Sequence, residues 1–205
     1  MAVDAWEPYR PTPDRPWTLA RVGHLYRRAA FGATWSELQR GLADGPDKTI
    51  DRLLKGEPTN PDFDRTSDFL ATERNLPAGA PGRTLAAWWL ARMLATPHPL
   101  REKLTLFWHN HFATSHAKVR NARHMLGQYR LLHKHALGDF RQLLREMSTD
   151  PAMMVWLDTV ASVKGKPNEN YARELMELFS LGIGNYTEAD VREAARAFTG
   201  YDVRD

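Results

Sequence analysis

Signals that start and stop helices recur along this chain, while no segment alternates apolar and polar residues as a half-buried strand requires. Thr34 followed by Glu37 is a capping box, and it opens a helix that ends near Gly41 to Gly45. Pro46 suits the first turn of the next helix, "PDKTIDRLLKG", which Gly56 closes. From Glu57 to Pro81 the chain is rich in Pro, Asp, Asn and Thr, broken only by Phe69 and Leu70. It reads as a long surface connection and as the place for an internal boundary, if there is one. "RTLAAWWLARMLA" is helical up to Pro97 and Pro99, which stop it before another helix over 100–113. Two more follow, over 119–137 and 140–147, divided at Gly138-Asp139. Asp150-Pro151 joins a cap to a first-turn proline ahead of "AMMVWLD". Asn168 caps "ENYARELMELFSLG", Gly182 stops it, and Thr187 with Asp190 opens "EADVREAARAFTG". The expectation is an all-α fold, an irregular bundle of about nine helices in one domain over residues 1–205.

A chain of 205 residues can bury a core without covalent staples. With 42% apolar and 26% charged residues it has the balance of a soluble globular protein. No apolar run approaches the roughly 20 residues of a membrane helix, so no membrane partner is expected. The opening "MAVDAWEPYRPTPDRPW" is acidic and proline-bearing where an export signal would be basic and then apolar, which makes a cytoplasmic location the default. There is no cysteine. Thiolate sites are excluded, and His, Asp and Glu remain as side-chain ligands. The net charge of +3 is spread out. Its densest basic stretch places Lys118, Arg120, Arg123, Arg130 and Lys134 on one helix. That pattern fits a solvated face, with a protein partner as the alternative; nucleic-acid binding through 118–134 is a weaker reading.

Chemistry, if the chain has any, concentrates in "LTLFWHNHFATSH", residues 104–116. On a helix, apolar side chains cover most of the circumference of 100–113, which should therefore be central and buried. Glu102, Thr105 and His109 share one stripe of it. His116 would join them if the helix persisted, whereas His111 is rotated to the other side. A carboxylate and an imidazole on a dry face need partners, since leaving either unpaired costs several kcal/mol. Three readings stay open: a structural network, a site for a divalent transition metal or heme, and acid/base chemistry without metal. The spacing matches neither His-Glu-x-x-His nor the Glu-x-x-His of di-iron bundles.

In the later "NENYARELMELFSLG", Tyr171, Ala172, Leu175, Leu178 and Phe179 form the expected core stripe, with Glu169, Arg173 and Glu177 outward. Glu174 falls at the edge of the apolar sector, where it calls for a cation, a metal or a donor; an Arg or His of another helix is the plain expectation. The candidate catalytic residues are Glu102, His109 and Glu174, and the candidate metal ligands are the same three with His111 and His116. His124, His133 and His135 read as solvated or boundary positions, and Trp88-Trp89 and Met153-Met154 as packing. No phosphate loop or nucleophile elbow is present.

Four segments carry a resemblance: "HLYRRAAFGAT", "HPLREKLTLFWHNHFATS", "DPAMMVWLD" and "NENYARELMELFSLGIGNYTEADVREAARAFTGY". In this order they resemble the bacterial family known as domain of unknown function 1800, and specifically the amino-terminal half of its typical members. The resemblance implies a mainly helical protein with no assigned activity, in a family whose members are often exported and encoded near sulfatase-like proteins. Glu102, His109, His111, Glu169, Arg173, Glu174 and Glu177 lie within the matching segments.

Overall fold

Capping chemistry sets the helix boundaries. In the computed structural model, which describes residues 7–58 and 60–203, the Thr34 hydroxyl accepts from Glu37 N–H while the Glu37 carboxylate accepts from Thr34 N–H at 2.6 Å. The first six residues of the acidic opening lie outside the described part. Among the described residues eleven α-helices follow one another: α1 Leu19–Ala29, α2 Trp35–Lys55, α3 Pro61–Leu70, α4 Gly82–Ala95, α5 Pro99–Phe112, α6 His116–Val119, α7 Ala122–His135, α8 Phe140–Met147, α9 Pro151–Trp156, α10 Asn170–Glu174 and α11 Glu188–Ala197. A 3-10 turn at Thr159–Ala161 and a π-helical turn at Leu175–Ser180 complete them. Among the described residues there is no strand, and no helix is long and apolar enough to cross a membrane.

The all-α expectation holds, with more helices than the nine anticipated. Gly45, at φ 78°, breaks α2 into the two segments that the Gly-Pro sequence predicts. The 57–81 stretch differs from expectation, because it contains α3. Asn60 accepts from the N–H groups of Asp62 and Phe63, Pro61 takes the first turn, and acidic residues favour the helix N-terminus. These signals were hidden by a composition that resembles a loop. After α3, Ala71, Leu76 and Ala80 are buried against Trp88, Leu126 and Tyr129.

The central element is α7, which packs against α4, α5, α6, α8 and α9. Its Leu126 and Leu132 are fully buried, and truncation of such a leucine to alanine typically costs about 2–5 kcal/mol. The basic residues read as a solvated face are carried on this helix or beside it, and several are engaged: Arg123 donates to Ala71 O at 2.7 Å and Lys134 to Glu146 at 3.0 Å. By contrast α5, expected to be buried nearly all round, leaves Phe107 exposed. Its buried side carries Glu102, Thr105 and Phe112. The polar stripe therefore faces the interior, and Thr105 satisfies its hydroxyl by donating to Arg101 O one turn back, at 2.8 Å.

The carboxy-terminal helix pattern is corrected in one place. Leu178, placed on the core stripe by a 3.6-residue period, is 60% exposed. The π turn over Leu175–Ser180 has a longer period and rotates the residues that follow, which keeps Phe179 inside and turns Leu178 out.

Candidate functional site: an aromatic cavity with two imidazoles

Glu102 lies one turn into α5 and is 0% exposed. Three neighbours answer its charge. Trp89, from α4, donates its indole N–H to Glu102 Oε1 at 2.7 Å. Tyr129, from α7, donates its hydroxyl to the same carboxylate at 2.9 and 3.0 Å. The Arg92 guanidinium sits 3.6 Å from Oε2 and donates to the Tyr129 oxygen at 2.7 Å. Arg92 is held in turn by the Ser67 hydroxyl and by the faces of Phe63 and Trp88. Burial pushes the Glu102 carboxyl above the usual carboxylate range, and Arg92, Tyr129 and Trp89 pull it back.

The imidazole nearest Glu102 is His133, with Nε2 at 3.8 Å from Oε2, stacked on Tyr129. This position, read from sequence as solvated or at the boundary, is half-buried; dehydration, with the charges of Arg92 and Arg101, lowers its pKa to about 4. His109 does not touch Glu102. The Trp89 ring separates them, bonded to Glu102 through its N–H and meeting the His109 ring edge-on at 5.2 Å. Burial lowers the pKa of His109, which favours its neutral ring and weakens it as a base.

His109 opens instead into a cavity of about 170 Å³ walled by Leu85, Trp88, Trp89, Met125 and Tyr129. His116 lines the same cavity, together with Thr114 and Ser115. The helix does not persist to reach it: α5 ends at Ala113 in a left-handed conformation, and His116 begins α6 behind the Ser115 cap. The turn places His116 on the wall of the same cavity as His109, without the continuous helix on which the sequence would have aligned them. Gly82 leaves room for this ring, since a Cβ there would lie 3.0 Å from His116 Cγ. His116 Nε2 is buried without a hydrogen-bond partner, and His109 makes no side-chain hydrogen bond among the described residues.

The two other predicted residues lie elsewhere. His111 faces Trp108, Phe112, Phe140 and Phe179, with Nε2 3.3 Å from Phe179 O, on the opposite side of α5 as its spacing requires. Glu174 ends α10, half-buried at the start of the π turn. The Arg or His partner expected for it is absent among the described residues, and the ion pairs nearby join Arg173 to Glu169 at 3.2 Å and to Glu188 at 2.8 Å. No group of three or more His, Asp or Glu side chains that could hold a metal exists among the described residues.

A second buried acid was missed as a chemical group because its sequence reads only as a helix cap. Asp150 accepts from Met153 N–H at 2.8 Å and from Gln128 Nε2 at 2.7 Å, while the Gln128 oxygen accepts from the Thr114 hydroxyl. A chain of hydrogen bonds thus runs from the cavity wall to Asp150. Burial without a cation raises this carboxyl to about 6.

No curated protein and no solved structure matches the chain. Residues 24–205 match the family described as "Protein of unknown function (DUF1800)", which spans most of the sequence. The chain belongs to that family.

Proposed function

We propose that the chain binds a small polar molecule in the His109/His116 cavity and moves a proton on it, with His109 as the accepting base. The observation that carries this reading is the presence of two imidazoles, neither with a side-chain partner, on the wall of one small aromatic cavity. A neutral imidazole keeps one ring nitrogen as a hydrogen-bond acceptor, the group a general base needs within reach of the proton it takes. Glu102 serves as a positioning residue, since it holds the Trp89 ring against which His109 packs. Glu174 and His111 have no part in it.

Histidine-resolved NMR, with phenol and acetamide as probes, tests this proposal. Saturable shifts of the His109 and His116 ring signals are expected, and in His109→Phe and His116→Phe variants that keep their melting temperature the shift of the remaining ring should be lost. Unmoved signals with both probes, and variants that only lower stability, would instead make the two rings packing residues of a scaffold.

A second reading is a divalent transition metal held by the same two imidazoles. The buried, partnerless Nε2 of His116 favours it, and the lack of cysteine leaves imidazole as the strongest available ligand. Two protein ligands would leave water or substrate to complete the shell. Zinc that raises the melting temperature of the untagged protein, and not of His116→Ala, is the outcome this reading requires. Heme has no such support, because 170 Å³ is well below the roughly 300–1,000 Å³ of sites for ligands smaller than a porphyrin.

A further inference from the structure

We infer that the outer face of α4 is an interface with a second copy of the chain, in which the two α4 helices run antiparallel about a two-fold axis. Apart from Arg83 and Arg92, α4 has no charged residue, and Arg92 is turned inward to Glu102. A helix that is apolar on every side is normally covered on every side. Here the side turned away from Leu85 and Trp88 stays open: Leu90 is 56% and Leu94 78% exposed, and Ala87, Ala91 and Ala95 beside them are exposed as well. These residues form two neighbouring ridges at four-residue spacing, a small one of Ala87, Ala91 and Ala95 and a large one of Leu90 and Leu94. Beside Ala91 and Ala95, α3 raises Phe63 and Leu70, and the groove between the two helices has a volume of about 330 Å³.

One face thus carries both a ridge of leucines and a trough that such a ridge fills. That is the condition for an isologous contact, in which the same patch of each copy meets the other. An antiparallel pair centred between Leu90 and Ala91 sets Leu90 over the partner's Ala91 and Leu94 over the partner's Ala87, large against small in both directions. Charge selects the same arrangement. Helix α3 runs antiparallel to α4, since Ser67 O accepts from the Trp88 indole N–H at 3.0 Å and Phe63 lies under Arg92. Asp62 therefore borders the groove at its Ala95 end. Arg83, exposed and without an ion pair among the described residues, stands at the opposite end of α4, about 18 Å away along the axis. The two-fold axis carries each Arg83 towards the partner's Asp62. A parallel pair would set Arg83 beside its own counterpart, a repulsion in place of an attraction.

Sedimentation velocity and chemical cross-linking of the untagged chain read this out. A contact built on one helix face and its groove is small, so a monomer–dimer equilibrium with a Kd of about 1–100 μM is expected. Leu90→Glu combined with Leu94→Glu should abolish the dimer and leave the melting temperature of the dilute protein unchanged, because both side chains are exposed in the monomer. Arg83→Glu, which sets like charges against Asp62, should weaken association by about five- to twentyfold. Since the chain has no cysteine, a single introduced thiol reports on one position. Leu90→Cys, beside the axis, should be joined to its counterpart by a short bismaleimide, whereas Ile183→Cys, also exposed, should not. The unmodified protein decides the matter even if a variant fails to fold: a chain that stays monomeric at about 1 mM would overturn the assignment. So would a dimer that survives the double leucine variant, one indifferent to Arg83→Glu, or cross-linking of Ile183→Cys as efficient as that of Leu90→Cys.

Discussion

Glu102 and Asp150 are both buried carboxylates within reach of α7, and their surroundings solve the same electrostatic problem in opposite ways. Around Glu102 the protein supplies a cation, a phenol and an indole N–H. Around Asp150 it supplies an amide and a helix N-terminus, both neutral. The charge of Glu102 is matched, so its corner is costly to break one partner at a time. The charge of Asp150 is only solvated by dipoles, so this group is sensitive to pH. Buried acids therefore differ less in their depth than in whether a full positive charge accompanies them.

The largest expected effect is at the charged corner. Arg92→Met leaves Glu102 buried without its cation and should destabilise the fold by about 3–5 kcal/mol in urea unfolding. A loss below about 1 kcal/mol would mean that Tyr129 and Trp89 suffice, which would erase the contrast with Asp150.

Next comes pH. The Asp150 carboxyl sits at about 6 in the folded chain against an ordinary 3.8, so the folded state holds a proton that the unfolded chain has released. Its contribution to stability is complete below the unfolded value and is lost as pH rises through about 6. Over that window the difference amounts to about 3 kcal/mol, and Asp150→Asn, which keeps a capping oxygen, should remove that slope. His133 acts in the reverse sense: its pKa of about 4 makes it stabilising above its unfolded value, and that contribution is lost as pH falls through about 4. Unfolding curves of the unmodified protein and Asp150→Asn across this range separate the two; parallel curves would show that Asp150 titrates normally.

Tyr129→Phe is expected to cost about 1–3 kcal/mol, because one hydroxyl serves both Arg92 and Glu102. The smallest effect belongs to the neutral network. Thr114→Val keeps the shape of the cavity wall and removes one hydrogen bond to Gln128, for about 1 kcal/mol in thermal unfolding. A larger loss there than in Tyr129→Phe would reverse the ranking of the two corners.

Much of this architecture could be read from local chemistry. The Thr34–Glu37 and Thr187–Asp190 capping boxes, the Asp150-Pro151 start and the break at Gly45 are all where the sequence places them. The inward stripe of Glu102 and Thr105 was legible as well, because a three-residue spacing returns close to the same helix face. Helix α3 was concealed by polar composition, and the exposure of Leu178 by a turn whose period differs from that of an α-helix.

By itself the sequence determined most of the helical segments, the caps that open them, and which face of α5 turns inward, since these depend on hydrogen bonds and periodicities spanning only a few residues. Tertiary structure decided which groups meet. Trp89 stands between Glu102 and His109, His133 rather than His109 approaches the carboxylate, and a left-handed Ala113 returns His116 to the cavity. Such encounters follow from how helices distant in sequence pack around α7, and no local spacing encodes that packing.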